Sequence, residues 1–170
     1  MRSVQGEFTI RRATPEDVEG IISCEMEVWL SLRGLLPPVV IEENLSFLSE
    51  PGAEEAVKSW LTDPRSIVFV ASDRSGLVVG VARGECRFGG VAWLNFLCVR
   101  PRYRRRGIGS SLLSEFVEEA RRRGMHKVSL YTSPLLKDAV KLYVSAGFIP
   151  EGFLRKHFYK MDLILYSLFL

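Results

Sequence analysis

Between Arg100 and Arg106 the chain places five arginines in seven residues, and they run directly into Gly107-Ile108-Gly109 and an apolar helical pattern. A strand that empties into a glycine-rich turn and then a helix is an anion site in the making. The first N–H groups of a helix have no partner inside it, the helix dipole favours negative charge there, and glycine lets the backbone approach a ligand closely. The loop is neither a nucleoside-triphosphate loop, since no Gly-Lys-Ser/Thr follows, nor a full dinucleotide fingerprint, since the third glycine is missing. Other reactive types are sparse. His126 and His157 lie far apart, and Cys24, Cys86 and Cys98 form no C-x-x-C pair, so neither a metal site nor a disulfide framework is expected and a reducing cytoplasm is. Cys98, in an apolar strand, is expected to pack rather than to act as a nucleophile.

The elements that must position this loop can be read from period and punctuation. Phe8 to Arg12 alternates as a strand, and Thr14-Pro15-Glu16-Asp17 starts a helix running to about Ser31. Arg33 to Gly52 reads as irregular, and a second helix is expected from about Ala53 to Leu61. Ser66–Ser72, Leu77–Phe88 and Val91–Val99 read as an antiparallel meander. Ile108, Leu112, Leu113, Phe116, Val117 and Ala120 recur at helical spacing, and that helix closes on Arg121-Arg122-Arg123 and Gly124. Lys127–Thr132 follows a strand and a crossover helix and should run parallel to Val91–Val99. A short helix from Lys137 to Ala146 and two strands, near Phe148–Phe153 and Asp162–Phe169, complete the order β-α-α-β-β-β-α-β-α-β-β. This is an α/β fold: one domain over residues 1–170, with a mixed, mostly antiparallel sheet flanked by helices.

Bulk properties are consistent with that. With 170 residues, 47% apolar and 25% charged, the chain can bury a real core, and a net charge of +3 does not by itself imply nucleic acid. A single-strand binder interleaves exposed aromatics with its basic patch, and here only Tyr103 does so. The N-terminal MRSVQGEFTI lacks the apolar run of a signal peptide, and Leu163–Leu170 is too short to cross a bilayer, so no membrane partner is expected.

The segment Arg104-x-x-Gly107-x-Gly109, within Val99-Arg100-Pro101-x-Tyr103-Arg104-Arg105-Arg106-Gly107-Ile108-Gly109-Ser110, resembles the Q/R-x-x-G-x-G/A signature of the GCN5-related N-acetyltransferases. A second block, Ala139-x-x-x-Tyr143-x-x-x-Gly147-Phe148, and the element order resemble that family as well, over nearly the whole chain. The resemblance implies acetyl-coenzyme A as cosubstrate, no metal, and direct attack of a primary amine in a ternary complex. It implies that Leu97, Cys98 and Val99 pair their backbone with the pantetheine arm. The amides of Arg104, Arg105, Arg106, Gly107, Ile108, Gly109 and Ser110 would hold the pyrophosphate. It also implies that Tyr143 is the general acid beside the sulfur.

Two positions depart from the family pattern. Leu136 stands where many members carry an asparagine that contacts the cofactor, and Trp93 stands where others place a glutamate base. Glu85 and Asn95 are the nearby substitutes. A site without a dedicated base suits an acceptor that is already partly neutral. A peptide α-amine, with a pKa of about 8, meets that condition, whereas a lysine at about 10.4 does not. The segment Lys156-His157-Phe158-Tyr159-Lys160 resembles the C-terminal hairpin of protein N-terminal (ribosomal-protein-alanine type) acetyltransferases. His157, Tyr159 and, from the first helix, Trp29 are therefore the substrate-side candidates. Glu42, Glu43, Glu50, Glu54 and Glu55 keep open a small cationic amine, such as a polyamine or antibiotic, and a protein lysine is a further alternative. A reading of another class is a non-catalytic module that binds coenzyme A or nucleic acid. A free hairpin edge also leaves room for a homodimer.

Overall fold

In a computed structural model of the chain, which describes residues 2–4 and 7–170, the anticipated helix start at Thr14 is a single 3-10 turn, Pro15–Asp17, that feeds α1 (Val18–Ser31). Asp17 fixes the entry, accepting from the Thr14 backbone N–H at 2.8 Å and from both Arg11 terminal nitrogens at 2.6 and 2.7 Å. Burial alone would raise the Asp17 pKa, but Arg11 and the Thr14 amide outweigh it and hold the carboxyl below its ordinary value.

The expected element order holds, with two additions. The first is α2 (Pro38–Ser49), inside the stretch read as irregular. Pro38 occupies its first turn, where a missing N–H costs nothing, so the Pro37-Pro38 pair starts this helix rather than breaking it. Its β-branched start, Val39-Val40-Ile41, is a poor helix former, and what holds it is burial of Val40, Ile41, Leu45 and Leu48. The second addition is β1 (Arg2–Val4), paired antiparallel with β2 (Phe8–Arg12). The remaining elements are α3 (Ala53–Thr62), β3 (Ser66–Asp73), β4 (Val78–Arg87), β5 (Val91–Val99), α4 (Ile108–Arg122), β6 (Lys127–Thr132), α5 (Lys137–Ser145), β7 (Ile149–Phe158) and β8 (Met161–Phe169).

The described strands form one eight-stranded sheet in the order β1-β2-β3-β4-β5-β6-β8-β7. Every neighbouring pair is antiparallel except β5–β6, which α4 connects as a crossover. One face packs on α4 and α5 through Ile108, Leu112, Leu113, Phe116 and Tyr143. Burying each of the large α4 side chains contributes about 1.5–3 kcal/mol. The other face packs on α1 and α3 through Val18, Ile21, Cys24, Val28 and Val57, against β3, β4 and β5. Helix α4 ends as its sequence implies, with Gly124 at φ +74° and the Met125 amide reaching back to the Ala120 carbonyl at 3.1 Å.

Candidate functional site

The site begins where two strands stop pairing. The parallel register of β5 and β6 covers Val91↔Lys127, Ala92↔Val128 and Trp93↔Ser129, yet β5 continues to Val99 and β6 to Thr132. Past Trp93 the strands part, and the β5 edge that would face β6 has no ladder partner. Leu97, Cys98 and Val99 pair on their other edge with Ala82, Val81 and Gly80 of β4, so their gap-side backbone is presented to whatever enters. An extended chain laid there would complete the sheet.

A bulge shapes the gap. Arg83 pairs with Phe96 but Gly84 pairs with Leu94, so Asn95 is the extra residue, and its side chain is exposed. The bulge reverses the inside–outside phase. Ala92 and Leu94 face α4, whereas beyond Asn95 it is Leu97 and Val99 that face α4, and Phe96 and Cys98 that face α1. Gly84 permits it: a Cβ there would sit 1.9 Å from the Trp93 carbonyl oxygen. On the α1 side Arg83 is stacked 4.2 Å from the Trp60 ring and 5.2 Å from Phe96, and Trp29 stacks on Phe96 at 5.2 Å. Glu25, 1% exposed, anchors the Arg83 guanidinium by hydrogen bonds of 2.8 and 3.2 Å. This buried pair was not foreseen. Its members are 58 residues apart, and no local spacing in the chain marks them as partners.

At the wide end of the gap stands the arginine-glycine turn. Arg105 and Gly107 have φ of +64° and +81°, a left-handed pair that turns successive amides to one side. From Arg105 to Ser110 no backbone amide finds a backbone acceptor among the described residues, whereas Arg104 donates to the Pro101 carbonyl at 3.3 Å and Ser111 to Gly107 at 3.0 Å. The amide cradle therefore starts at Arg105, one residue later than expected. The Arg104 side chain is turned inward, donating to the Val99 carbonyl and to Ser31 Oγ, both at 3.0 Å, so it braces strand end and helix rather than reaching outward. Arg105 meets Asp138 at 3.2 Å, and Arg106 lies over the Tyr103 ring at 5.6 Å; all three guanidinium-bearing residues stay exposed. Ile108 is buried and anchors the helix start, while a Cβ added to Gly109 would make only ordinary contacts, 3.5 Å to Leu142 and 3.8 Å to Val99. The fold itself does not need glycine at 109.

Tyr143, on α5, is 7% exposed and packs against Phe148 at 5.9 Å. Burial, and secondarily the nearby Cys98 thiol, push its phenol well above the ordinary value, and its hydroxyl has no hydrogen-bond partner among the described residues. It is a neutral donor with nothing yet to donate to. Cys98 is buried in the α1-side core, and its hydrogen-bonded neighbour Cys24, then burial, push its thiol well above the usual range. Leu136 caps α5 and packs with the α1–α2 cluster.

The open face holds the remaining candidates. Trp93 and Tyr131 stand side by side there at 5.0 Å, and Glu85, opposite Trp93 in register, is held by Arg87 at 2.7 Å. The exposed His157 ring is 6.4 Å from Tyr131. Tyr159, at the β7–β8 turn with φ +48°, donates its hydroxyl to Glu43 of α2, and Met161 joins the same α1–α2 cluster, so hairpin and α2 meet across the face. The other acids scatter. Glu42 pairs with Arg33. Glu50 and Glu54 line a separate cleft of about 580 Å³ with Glu19, Glu27 and Arg100, and none of its lining residues comes from Leu94–Val99, β6 or α5. Those acids thus do not surround the gap.

The residues present fit acetyl-coenzyme A: free amides for a pyrophosphate, an unpaired strand edge for an extended arm, and a neutral phenol for a sulfur. Comparison with known proteins agrees. The chain is 25% identical over 158 residues to an uncharacterised N-acetyltransferase of Methanocaldococcus jannaschii, covering 87% of this chain but 65% of that one, just under two thirds of the relative's length. The PaiA N-acetyltransferase of Thermoplasma acidophilum, solved with coenzyme A, superposes with a TM-score of 0.75 at 19% identity, covering 93% of this chain and 97% of the other. The ribosomal-protein-S18-alanine N-acetyltransferase of Escherichia coli gives 0.71 at 21% identity, covering 95% and 92%. At these identities the solved structures establish the fold alone. The model of the acetyltransferase (GNAT) family matches residues 38–148, more than half of the chain, and the chain belongs to that family.

Proposed function

We propose that the protein transfers the acetyl group of acetyl-coenzyme A to the α-amine of a protein or peptide N-terminus. The amides of Arg105–Ser110 hold the pyrophosphate, and the gap-side backbone of Leu97–Val99 holds the arm. The cosubstrate supplies an activated thioester; the chain supplies position, a dry gap and protons. Binding both partners in line accounts for much of the rate in such a site. Tyr143 keeps its proton at every physiological pH and offers it toward the gap, so it serves as a hydrogen-bond donor to developing negative charge.

One observation carries the choice of acceptor. On the open face, beside the mouth of the gap, the residue at the last β5–β6 pair is Trp93, and the adjacent carboxylate, Glu85, is held by Arg87. An amine arriving there must lose its proton largely unaided. An α-amine is roughly one-tenth neutral at pH 7, while a lysine is neutral in about one molecule in several thousand. Asn95, exposed on the bulge, can orient a water that takes the proton. The test is acetyl-coenzyme A consumption with free N-terminal peptides, N-terminally blocked lysine peptides and spermidine. The N-terminal peptides should lead the lysine peptides in kcat/KM by about 200-fold where the neutral fraction sets the rate. A lead for spermidine or for lysine peptides would assign the other acceptor class.

A further inference from the structure

The gap has two faces. Helices α4 and α5 close one, so an acceptor reaches the gap across the other. There the side chains form a stack. The Arg87 guanidinium lies 5.0 Å from the Trp93 ring, Trp93 lies 5.0 Å from Tyr131, and Tyr131 lies 6.4 Å from His157, both ring pairs inclined by only 32°. These residues come from β4, β5, β6 and β7, and strand alternation brings them to one face: Ala92, Leu94, Val128 and Leu130, their neighbours in sequence, all pack toward α4. The outer part of this shelf is not filled by the fold, because Tyr131 remains 46% exposed.

Charge changes along the shelf. At the gap end Arg87 is neutralised by Glu85. At the hairpin end Arg155, Lys156 and Lys160 are exposed, and none has an ion-pair partner among the described residues. The nearby acids are hydrogen-bonded by neutral donors and keep their charge: Asp162 accepts from the Lys156 backbone N–H at 2.7 Å, and Glu43 accepts from Tyr159. With three cations, Arg155, Lys156 and Lys160, against two carboxylates, Asp162 and Glu43, the hairpin end of the shelf keeps a net positive charge.

We propose that the peptide carrying the acceptor amine lies along this shelf. Its second residue is aromatic and stacks on Tyr131 and His157, and acidic residues beyond it face Arg155, Lys156 and Lys160. The proposal rests on the α-amine reading above and adds a sequence preference to it. An extended peptide advances about 3.4 Å per residue, so the two ring steps of the shelf span about three residues. A planar side chain continues a stack at this spacing, and unpaired cations complement carboxylates.

The full chain is assayed with alanine amide and with the peptides Ala-Phe-Glu-Glu-Gly, Ala-Gly-Glu-Glu-Gly and Ala-Phe-Lys-Lys-Gly. The wild type should favour the first over each of the other two peptides by about fivefold or more, mainly through KM. Tyr131→Ala should abolish the preference for phenylalanine over glycine, while Tyr131→Phe keeps it. The double variant Lys156→Glu/Lys160→Glu should reverse the preference for acidic over basic peptides. Both side chains are exposed, Lys156 near the end of β7 and Lys160 in the β7–β8 turn, so this variant reads the shelf even where Tyr131→Ala does not fold. Equal rates on all three peptides, or variants that keep the wild-type preferences, would overturn the shelf and leave the α-amine reading standing. Acetylation of spermidine but of no peptide would overturn both.

Discussion

The two sides of the gap are built from different materials. The side we propose for the donor is backbone: the amides of Arg105–Ser110 and the unpaired edge of Leu97–Val99, arranged by one contiguous stretch of chain. The side we propose for the acceptor is side chain: Trp93, Tyr131, His157, Tyr159 and Glu43, from four strand and helix segments and a turn. A backbone site depends on conformation and tolerates changes in most side chains. A side-chain site can be rewritten one residue at a time without disturbing the strands beneath. The fold can therefore keep one donor while its acceptor varies.

The sharpest break should come from what both sides share, the bulge at Asn95. Phe96 is wedged there by Arg83, and Arg83 is held by the buried Glu25. Arg83→Met leaves that carboxylate unpaired and should lower the unfolding free energy in urea by about 3 kcal/mol. Pairing it with Glu25→Gln should recover part of the loss. A single-variant cost below about 1 kcal/mol would mean that the ion pair does not hold the bulge. Next in size is Tyr143→Phe, between the two sides, which should lower kcat about 100-fold with little change in acetyl-coenzyme A affinity. Because the phenol is pushed upward, it stays protonated through about pH 10. The wild-type kcat should climb as the acceptor α-amine deprotonates near pH 8 and show no fall by about pH 10, as single-turnover rates across that range would reveal.

The same contrast explains what could be read from the chain. The turn from β5 into α4 was legible because Gly107 and Gly109 sit between a strand and a helix, and glycines mark backbone turns locally. The crossover, the parallel β6 and the cationic end of α4 were legible for the same reason. Helix α2 was not, because Pro38 acts as an opener only once tertiary packing buries Val40, Ile41, Leu45 and Leu48. Nor was the Glu25–Arg83 pair, or the stack of Trp93, Tyr131 and His157, since each joins elements far apart in sequence. Trp93 was noticed for the carboxylate it replaces; the structure shows what it stands beside.

Gly109 separates ligand from fold. Gly109→Ala adds a Cβ that meets only ordinary contacts within a helix, so it should stabilise the chain by about 0.5 kcal/mol. A pyrophosphate held on the proposed amide cradle would meet the same Cβ, and titration calorimetry should show acetyl-coenzyme A binding weakened by about tenfold, or 1.4 kcal/mol. Stability and affinity moving in opposite directions is the signature of a residue kept for its ligand. If both fall together, Gly109 belongs to the packing of α4 instead.

The smallest effect tests most directly whether the two sides are separate. Tyr159 binds Glu43 across the acceptor face from an exposed turn, and that hydrogen bond pushes its phenol above the ordinary value. Tyr159→Phe removes the bond and keeps the ring, so the urea unfolding midpoint should hardly move. With hairpin and α2 no longer tied, the peptide KM should change by about twofold, the scale of one exposed hydrogen bond. The dissociation constant of acetyl-coenzyme A should stay as it was, because no atom of that contact touches the Arg105–Ser110 amides. A parallel change in both constants would show that the hairpin reaches the donor loop through α1, where Ser31 already accepts from Arg104 at 3.0 Å. Donor and acceptor sites would then be coupled through that helix rather than independent.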